Sequence, residues 1–156
     1  MRSVASLGAA LVVASCGGDG EERKRQPDPA PQVDAADVRV VRGWADTLRR
    51  GDVRGAARYF ALPSTVSNGT APIRLATRPA IRFFNRTLPC GAKVIGAEPA
   101  ANGFFIVTFR LTERPGPGSC GSGTGETART AFRVRDDLIT AWLRVQDVES
   151  APGEPA

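Results

Sequence analysis

The prevailing spacing of apolar residues changes near residue 90, from a helical repeat to alternation, and this change constrains the fold most. In residues 38–48, 56–60 and 81–88, apolar residues recur at intervals of three or four, as on one face of a helix. Beyond residue 92, apolar and polar residues alternate in runs rich in β-branched and aromatic side chains, as in strands. Helices grouped ahead of strands are typical of α+β domains. The sequence therefore predicts an α+β fold.

Two helices are expected before Pro63. Asp34 can cap the first helix, and Gly51 can end it. Asp52 can cap a second, shorter helix over residues 53–60. Both predictions depend on local hydrogen bonds between a capping side chain and the free N–H groups of a first turn.

A hairpin, a third helix and a run of strands are expected after these helices. Residues 64–76 contain the turn dipeptide Asn68-Gly69 between two β-like runs, which predicts a small hairpin. Thr77 can cap the third helix, and Pro89 ends it. The predicted strands cover residues 93–98, 104–112, 127–135 and 138–148. Apolar residues alternate with arginines in the third of these strands, as in an antiparallel sheet with one solvated face.

The amino-terminal residues resemble a bacterial lipoprotein signal. Residues 4–13 are apolar and uncharged, and they are fewer than the roughly 20 needed to span a bilayer. They end in Val13-Ala14-Ser15-Cys16, which resembles the lipoprotein box. This resemblance implies a signal peptide over residues 1–15 and a lipid on Cys16. The alternative is an ordinary signal peptide with an incidental cysteine.

The domain boundaries and the localisation follow from this signal. Residues 16–32 have few apolar side chains, mixed charge and three prolines, and are expected to form a disordered tether. Residues 33–150 are the expected folded domain, and residues 151–156 a disordered tail. The expected location is the bacterial cell envelope, on the extracytoplasmic face, with the lipid as the membrane anchor.

Cys90 and Cys120 are the two remaining cysteines. Outside the cytoplasm such a pair predicts a disulfide bond, whereas a chain that stays in the cytoplasm would keep two free thiols. The glycine-rich residues 116–125 around Cys120 lack the Gly-Lys-Ser/Thr ending of a phosphate loop. They are expected to be a flexible connection between strands.

The composition excludes several classes of site. The chain has no histidine, which excludes Ser-His-Asp and Cys-His catalysis and histidine-ligated zinc or haem. Three cysteines are too few for a four-cysteine zinc site. We therefore expect no metal site and no cofactor. The net charge is +5, but no nucleic-acid-binding motif is present, so a nucleic acid is not an expected partner.

The order of elements and three short motifs resemble the nuclear transport factor 2-like superfamily, also called the cystatin-like cone fold. It includes SnoaL-like proteins and ketosteroid isomerase. The motifs are Trp44-Ala45-Asp46-Thr47-Leu48 with Arg50-Gly51-Asp52, Ala56-Ala57-Arg58-Tyr59-Phe60, and Phe132-Arg133-Val134-Arg135-Asp136-Asp137-Leu138-Ile139. The resemblance implies a strongly bent antiparallel sheet that wraps the first helix and leaves a cone-shaped pocket. Because this fold hosts enzymes, binding modules and dimerisation domains, it does not define one function.

Candidate residues for the pocket come from this resemblance. The pocket-lining candidates are Trp44, Tyr59, Phe60, Phe104 and Phe109, each of which can also be an ordinary core residue. Isomerases of this fold use a strand aspartate with a tyrosine and a second acid, and dehydratases use histidine. This sequence departs from both patterns. The only catalytic candidates left are Asp46, Tyr59 and Glu98, with surface or pocket-rim positions as the alternative.

Arg78, Arg82 and Arg86 recur every four residues and share one face of the third predicted helix. They form either a solvated face or a stripe that binds anions or lipid head groups.

The function expected from the sequence is a lipid-anchored, extracytoplasmic protein whose cone domain binds a small molecule or a protein without catalysis. One alternative is a small isomerase or cyclase that uses pocket carboxylates. Another is a structural envelope protein that forms a homodimer.

Overall fold

A computed structural model describes residues 32–146, which form three α-helices, six strands and two short 3-10 helices. The helices are α1 (Ala35–Arg49), α2 (Val53–Ala57) and α3 (Arg78–Thr87). The strands are β1 (Phe60–Ser67), β2 (Ile73–Leu75), β3 (Gly91–Pro99), β4 (Phe105–Thr112), β5 (Thr127–Arg135) and β6 (Leu138–Val145). The predicted α+β class is confirmed. The predicted signal peptide, Cys16, the tether up to residue 31 and the carboxyl-terminal tail lie outside the described residues.

All three helices begin where the capping residues predict. The side chains of Asp34, Asp52 and Thr77 each accept a hydrogen bond from a backbone N–H in the following turn. Such caps satisfy donors that have no partner inside the helix. No helix within residues 32–146 is long and apolar enough to cross a membrane.

The second helix is shorter than predicted, since it ends at Ala57 and Phe60 already belongs to β1. The carbonyl of Tyr59 accepts a 2.7 Å hydrogen bond from the backbone N–H of Ile139, which draws this segment into the sheet. The guanidinium of Arg78 donates to the carbonyls of Ala57 and Phe60, at 2.7 and 2.6 Å. These long-range bonds replace the helical ones that local sequence favours.

The six strands form one sheet in the order β2-β1-β6-β5-β4-β3. Neighbouring strands are antiparallel except β1 and β6, which run parallel. The sequence predicted an antiparallel sheet throughout. The parallel pairing of β1 with β6 shows that this part of the prediction is wrong. The pairs β1–β6, β3–β4 and β5–β6 each contain a register shift. Such irregularities bend strands and increase their twist.

The core lies between α1 and one face of the sheet, with Trp44 at its centre. The rings of Phe60, Phe109, Phe132 and Trp142 have centroids 5.8–6.4 Å from that of Trp44. The indole N–H of Trp44 donates a 2.8 Å hydrogen bond to the side-chain oxygen of Asn85, which is fully buried. This bond satisfies the indole's only donor inside an apolar core.

The predicted disulfide between Cys90 and Cys120 is present and joins the end of α3 to the glycine-rich loop. A second contact also holds this loop, which the sequence predicted to be a flexible connection. The carboxylate of Glu113 accepts hydrogen bonds from the backbone N–H groups of Cys120 and Gly121, at 3.2 and 3.0 Å. These bonds stabilise the ionised form and lower the pKa of Glu113.

Arg114 is a buried cation that lies beside the end of α3. Its guanidinium donates hydrogen bonds to the carbonyls of Asn85, Arg86, Leu88 and Pro115. The first three carbonyls belong to the last turn of α3 and the residue after it, where helical acceptors lack partners. Burial lowers the pKa of Arg114, because it disfavours the charged form.

Candidate functional site

A cavity of about 450 Å³ lies between α1 and the end of the sheet where β6 finishes. Its wall consists of Trp44, Ala45, Leu48, Asn68, Gly69, Leu88, Pro89, Cys90, Ala92, Phe109, Leu111, Ala128, Thr130, Trp142, Arg144, Val145 and Gln146. Most of these residues are apolar, and the volume falls in the range of small-molecule sites.

Small side chains create the space. Ala45 on α1, Ala92 on β3 and Ala128 on β5 lie in the wall, where larger residues would fill the gap between helix and sheet. Ala128 lies directly opposite Phe109 in the sheet register. The cavity therefore depends on which core positions carry alanine.

Polarity increases along β6 towards the opening. Trp142 is buried, Arg144 is half-buried, and Gln146 is exposed. These residues are two apart, so their side chains leave the same face of the strand. Asn68 and Gly69 are also exposed and lie in the wall, so they form part of the rim. The cavity thus has an apolar interior and a polar mouth.

Arg144 is the one ionisable side chain in the wall formed by residues 32–146. Thr130 lies opposite it on β5, and the next pair along these strands is Phe132 with Trp142. Within the same described part of the chain, Arg144 makes no ion pair. The guanidinium is therefore available to an anion that enters the cavity.

The aromatic candidates for pocket lining separate into two groups. Trp44 and Phe109 lie in the cavity wall. Phe60 is enclosed in the core with no exposed surface. Phe104 precedes β4 and is half-buried, with the guanidinium of Arg133 4.1 Å from its ring centroid. The next residue, Phe105, is buried in the core. Consecutive residues of an extended segment face opposite sides of a sheet, so the ring of Phe104 points away from the core.

The three catalytic candidates lie outside the cavity wall, and no hydrogen bond among the described residues joins any two of them. Asp46 pairs with Arg49 on α1, at 3.2 Å. Glu98 pairs with Arg129 across the sheet and is more than half exposed. Tyr59 lies in the turn between α2 and β1 rather than on the second helix.

Asp37 is a carboxyl group that sequence reasoning did not select. Burial raises its pKa, and the neighbouring carboxylate of Asp34 adds to this effect. Asp37 lies in the first turn of α1 and is absent from the cavity wall. It therefore does not supply an acid or base to this cavity.

The three arginines of α3 do not act as one stripe. The guanidinium of Arg78 is bound to backbone carbonyls. Arg82 and Arg86 line a separate depression of about 600 Å³ together with Arg54 and Asp52. This depression is larger but more open and more polar than the cavity, and it holds a carboxylate among its arginines. The cavity is therefore the stronger candidate site.

Sequence reasoning missed Trp142, Arg144 and Thr130 as wall residues. The available signal was the two-residue spacing of Trp142 and Arg144 in a predicted strand, which places both on one face. The sequence did not show which face of the sheet packs against α1. It also did not show which strand lies beside this part of β6.

Comparison with solved structures identifies the fold. A nuclear transport factor 2-like protein of unknown function from Cytophaga hutchinsonii matches with a TM-score of 0.54 and 9% identity, over 76% of this chain and 95% of that one. A provisionally named polyketide cyclase from Sinorhizobium meliloti matches with a TM-score of 0.53 and 16% identity, over 69% and 94%. A provisionally named polyketide cyclase from Xanthomonas campestris matches with a TM-score of 0.51 and 16% identity, over 73% and 92%.

These matches show that the domain has the nuclear transport factor 2-like, cystatin-like fold, as the resemblance implied. At such low identities they carry no information on activity. No protein-family model and no curated protein matches this chain.

Proposed function

We propose that this domain binds a small apolar molecule without chemically changing it, as a lipid-anchored protein on the extracytoplasmic face of a bacterial cell envelope. The observation that carries the binding proposal is the cavity of about 450 Å³ with its largely apolar wall. An apolar cavity of about 150 Å³ is enough for benzene, so the space here suits a larger ligand.

The absence of a carboxylate from the wall, within residues 32–146, favours binding over catalysis. Isomerisation and cyclisation need a group that accepts or donates a proton within hydrogen-bond reach of the substrate. Arginine is a poor proton donor or acceptor because its guanidinium keeps its proton throughout the physiological pH range.

The second candidate is an isomerase or cyclase that uses the same cavity, and two structural neighbours carry the provisional name polyketide cyclase. The two candidates differ in the fate of the ligand. Chromatography and NMR spectroscopy of the ligand released after prolonged incubation would recover the same isomer for a binding protein. Recovery of a rearranged ligand would support the enzyme instead.

Both tryptophans of the chain, Trp44 and Trp142, line the cavity and provide a direct binding assay. The neutral fluorophore phenylnaphthylamine is expected to bind saturably, with energy transfer from the tryptophans. Ala92→Leu should weaken this binding by about 10-fold or more, because the added side chain occupies cavity space.

The matched control is Ala131→Leu, since Ala131 is half-buried on β5 and does not belong to the wall. It should bind the fluorophore as the unaltered protein does. Circular dichroism confirms that both variants are folded. Absence of saturable transfer, or equal binding by both variants, would contradict the proposed site.

The proposed anchor is tested at Cys16. Cys16→Ser should abolish incorporation of labelled palmitate and release the protein from the membrane fraction, because serine has no thiol to carry the lipid. Ser15→Ala is the matched control, since it keeps a small residue before the cysteine. Labelling that persists in Cys16→Ser would refute the lipid attachment.

A further inference from the structure

We propose that the ligand of the cavity is an amphipathic anion, with an apolar body against the tryptophans and a carboxylate or phosphate head on Arg144. This inference rests on the proposed binding function and adds the chemical class of the ligand. It depends on the position of Arg144, on the charges around it and on the polar groups beside it.

The strand register places Arg144 at the boundary between the apolar interior and the mouth. Arg144 and Trp142 are two residues apart on β6, so both side chains leave the face that carries the core. Trp142 is only 5% exposed, whereas Gln146, four residues further on, is exposed. A ligand whose apolar body contacts Trp142 would therefore bring its other end to Arg144.

Three other partly or fully buried arginines, Arg78, Arg114 and Arg129, already have partners for their guanidinium groups. Arg82 is half-buried without a partner among residues 32–146, but it lines the depression that also holds Asp52. Arg114 donates to backbone carbonyls, Arg78 does the same, and Arg129 pairs with a carboxylate. Arg144 has neither an ion pair nor a side-chain hydrogen bond to any residue within 32–146. A half-buried cation without a partner, in a wall without carboxylates, favours an anion as the missing partner.

Neutral polar residues are neighbours of Arg144 in the sheet register and in the cavity wall. Thr130 is the cross-strand neighbour of Arg144, and Ser67, the residue before Asn68, pairs with Leu143 on the other side. Asn68 and Gln146 are also wall residues at the rim. Hydroxyl and amide groups can donate hydrogen bonds to the oxygens of a carboxylate or phosphate without adding negative charge.

The test compares ligands that share a chain and differ in the head group. Dodecanoate, dodecyl phosphate, dodecanol and dodecyltrimethylammonium are titrated against displacement of phenylnaphthylamine, below their micelle concentrations. Both anions should bind about 10-fold or more tightly than dodecanol, and the cation should bind most weakly. Loss of one charge-assisted hydrogen bond has an effect of this size. The relative affinities of the two anions show whether a carboxylate or a phosphate head is preferred.

Arg144→Gln should remove the preference for anions, so that dodecanoate and dodecyl phosphate bind no more tightly than dodecanol. Arg144→Lys should restore part of the preference, because it keeps the charge without the planar fork. Arg74→Gln, an exposed arginine on β2 outside the wall, is the matched control.

Equal affinity of the unaltered protein for dodecanol and dodecanoate would overturn the anion proposal while the binding function stands. An equal loss of all ligands in both Arg144 variants would also overturn it, because the effect would then be structural. Failure of phenylnaphthylamine and every dodecyl compound to bind would overturn the binding function itself.

Discussion

Arg114→Met is expected to lower the free energy of unfolding by about 3 kcal/mol, although methionine fills much of the same space. The substitution leaves the carbonyls of Asn85, Arg86 and Leu88 without their buried donor. An unsatisfied buried polar group costs about 1–3 kcal/mol, and water can reach only part of this site. Urea unfolding followed by tryptophan fluorescence measures the change.

The effect of Arg114→Met should extend to the cavity. Leu88, whose carbonyl Arg114 holds, lies in the cavity wall, so a loosened end of α3 should weaken phenylnaphthylamine binding. The control is Arg74→Met, which removes an exposed arginine outside the wall. A change of less than about 0.5 kcal/mol, typical of surface substitutions, would show that Arg114 does not hold the end of α3.

Removal of the disulfide is expected to have the second large effect. The double variant Cys90→Ala with Cys120→Ala should lose about 3–4 kcal/mol of unfolding free energy, because the bond closes a loop across 30 residues. Cys90 lies in the cavity wall, so this change should also weaken binding of phenylnaphthylamine. Chemical denaturation and the fluorophore titration measure the two effects.

Dithiothreitol provides the internal control for this variant. Reduction of the unaltered protein should reproduce the loss of stability, whereas the double variant should not respond to the reductant. The contacts of Glu113 with Cys120 and Gly121 use backbone N–H groups and can persist without the disulfide. A double variant as stable as the unaltered protein would mean that these contacts alone hold the loop.

Features of the fold that depend on neighbouring residues were predictable. The caps at Asp34, Asp52 and Thr77 were correct because each is a hydrogen bond within a few residues. The alternation in β5 also predicted its buried face, which carries Thr130, Phe132 and Val134. Both patterns arise from backbone geometry that is the same in any protein.

Features that depend on distant partners were not predictable. The end of α2 depends on Ile139 and Arg78, which bind carbonyls near it from far along the chain. The side chain of Asn85 is the buried hydrogen-bond partner of Trp44. Nothing in the residues around Asn85 indicates a partner 41 positions away.

The residues of the candidate site were likewise predictable only in part. The sequence predicted Trp44 and Phe109 among the aromatic candidates, but it also proposed Phe60 and Phe104, which the structure places elsewhere. Whether an aromatic residue lines a cavity or fills the core depends on the sizes of the side chains opposite it. Those neighbours come from other strands and from α1.

The sequence by itself determined the α+β class, the helix starts and the buried face of β5. Only the tertiary structure decided that β1 pairs in parallel with β6 and that Arg114 binds carbonyls at the end of α3. It also decided that Arg144, Trp44 and Trp142 lie in the wall of the same cavity. The physical reason is the range of the interactions. Caps and alternation act within a few residues, whereas the cavity is the space left after α1 and four strands have packed together.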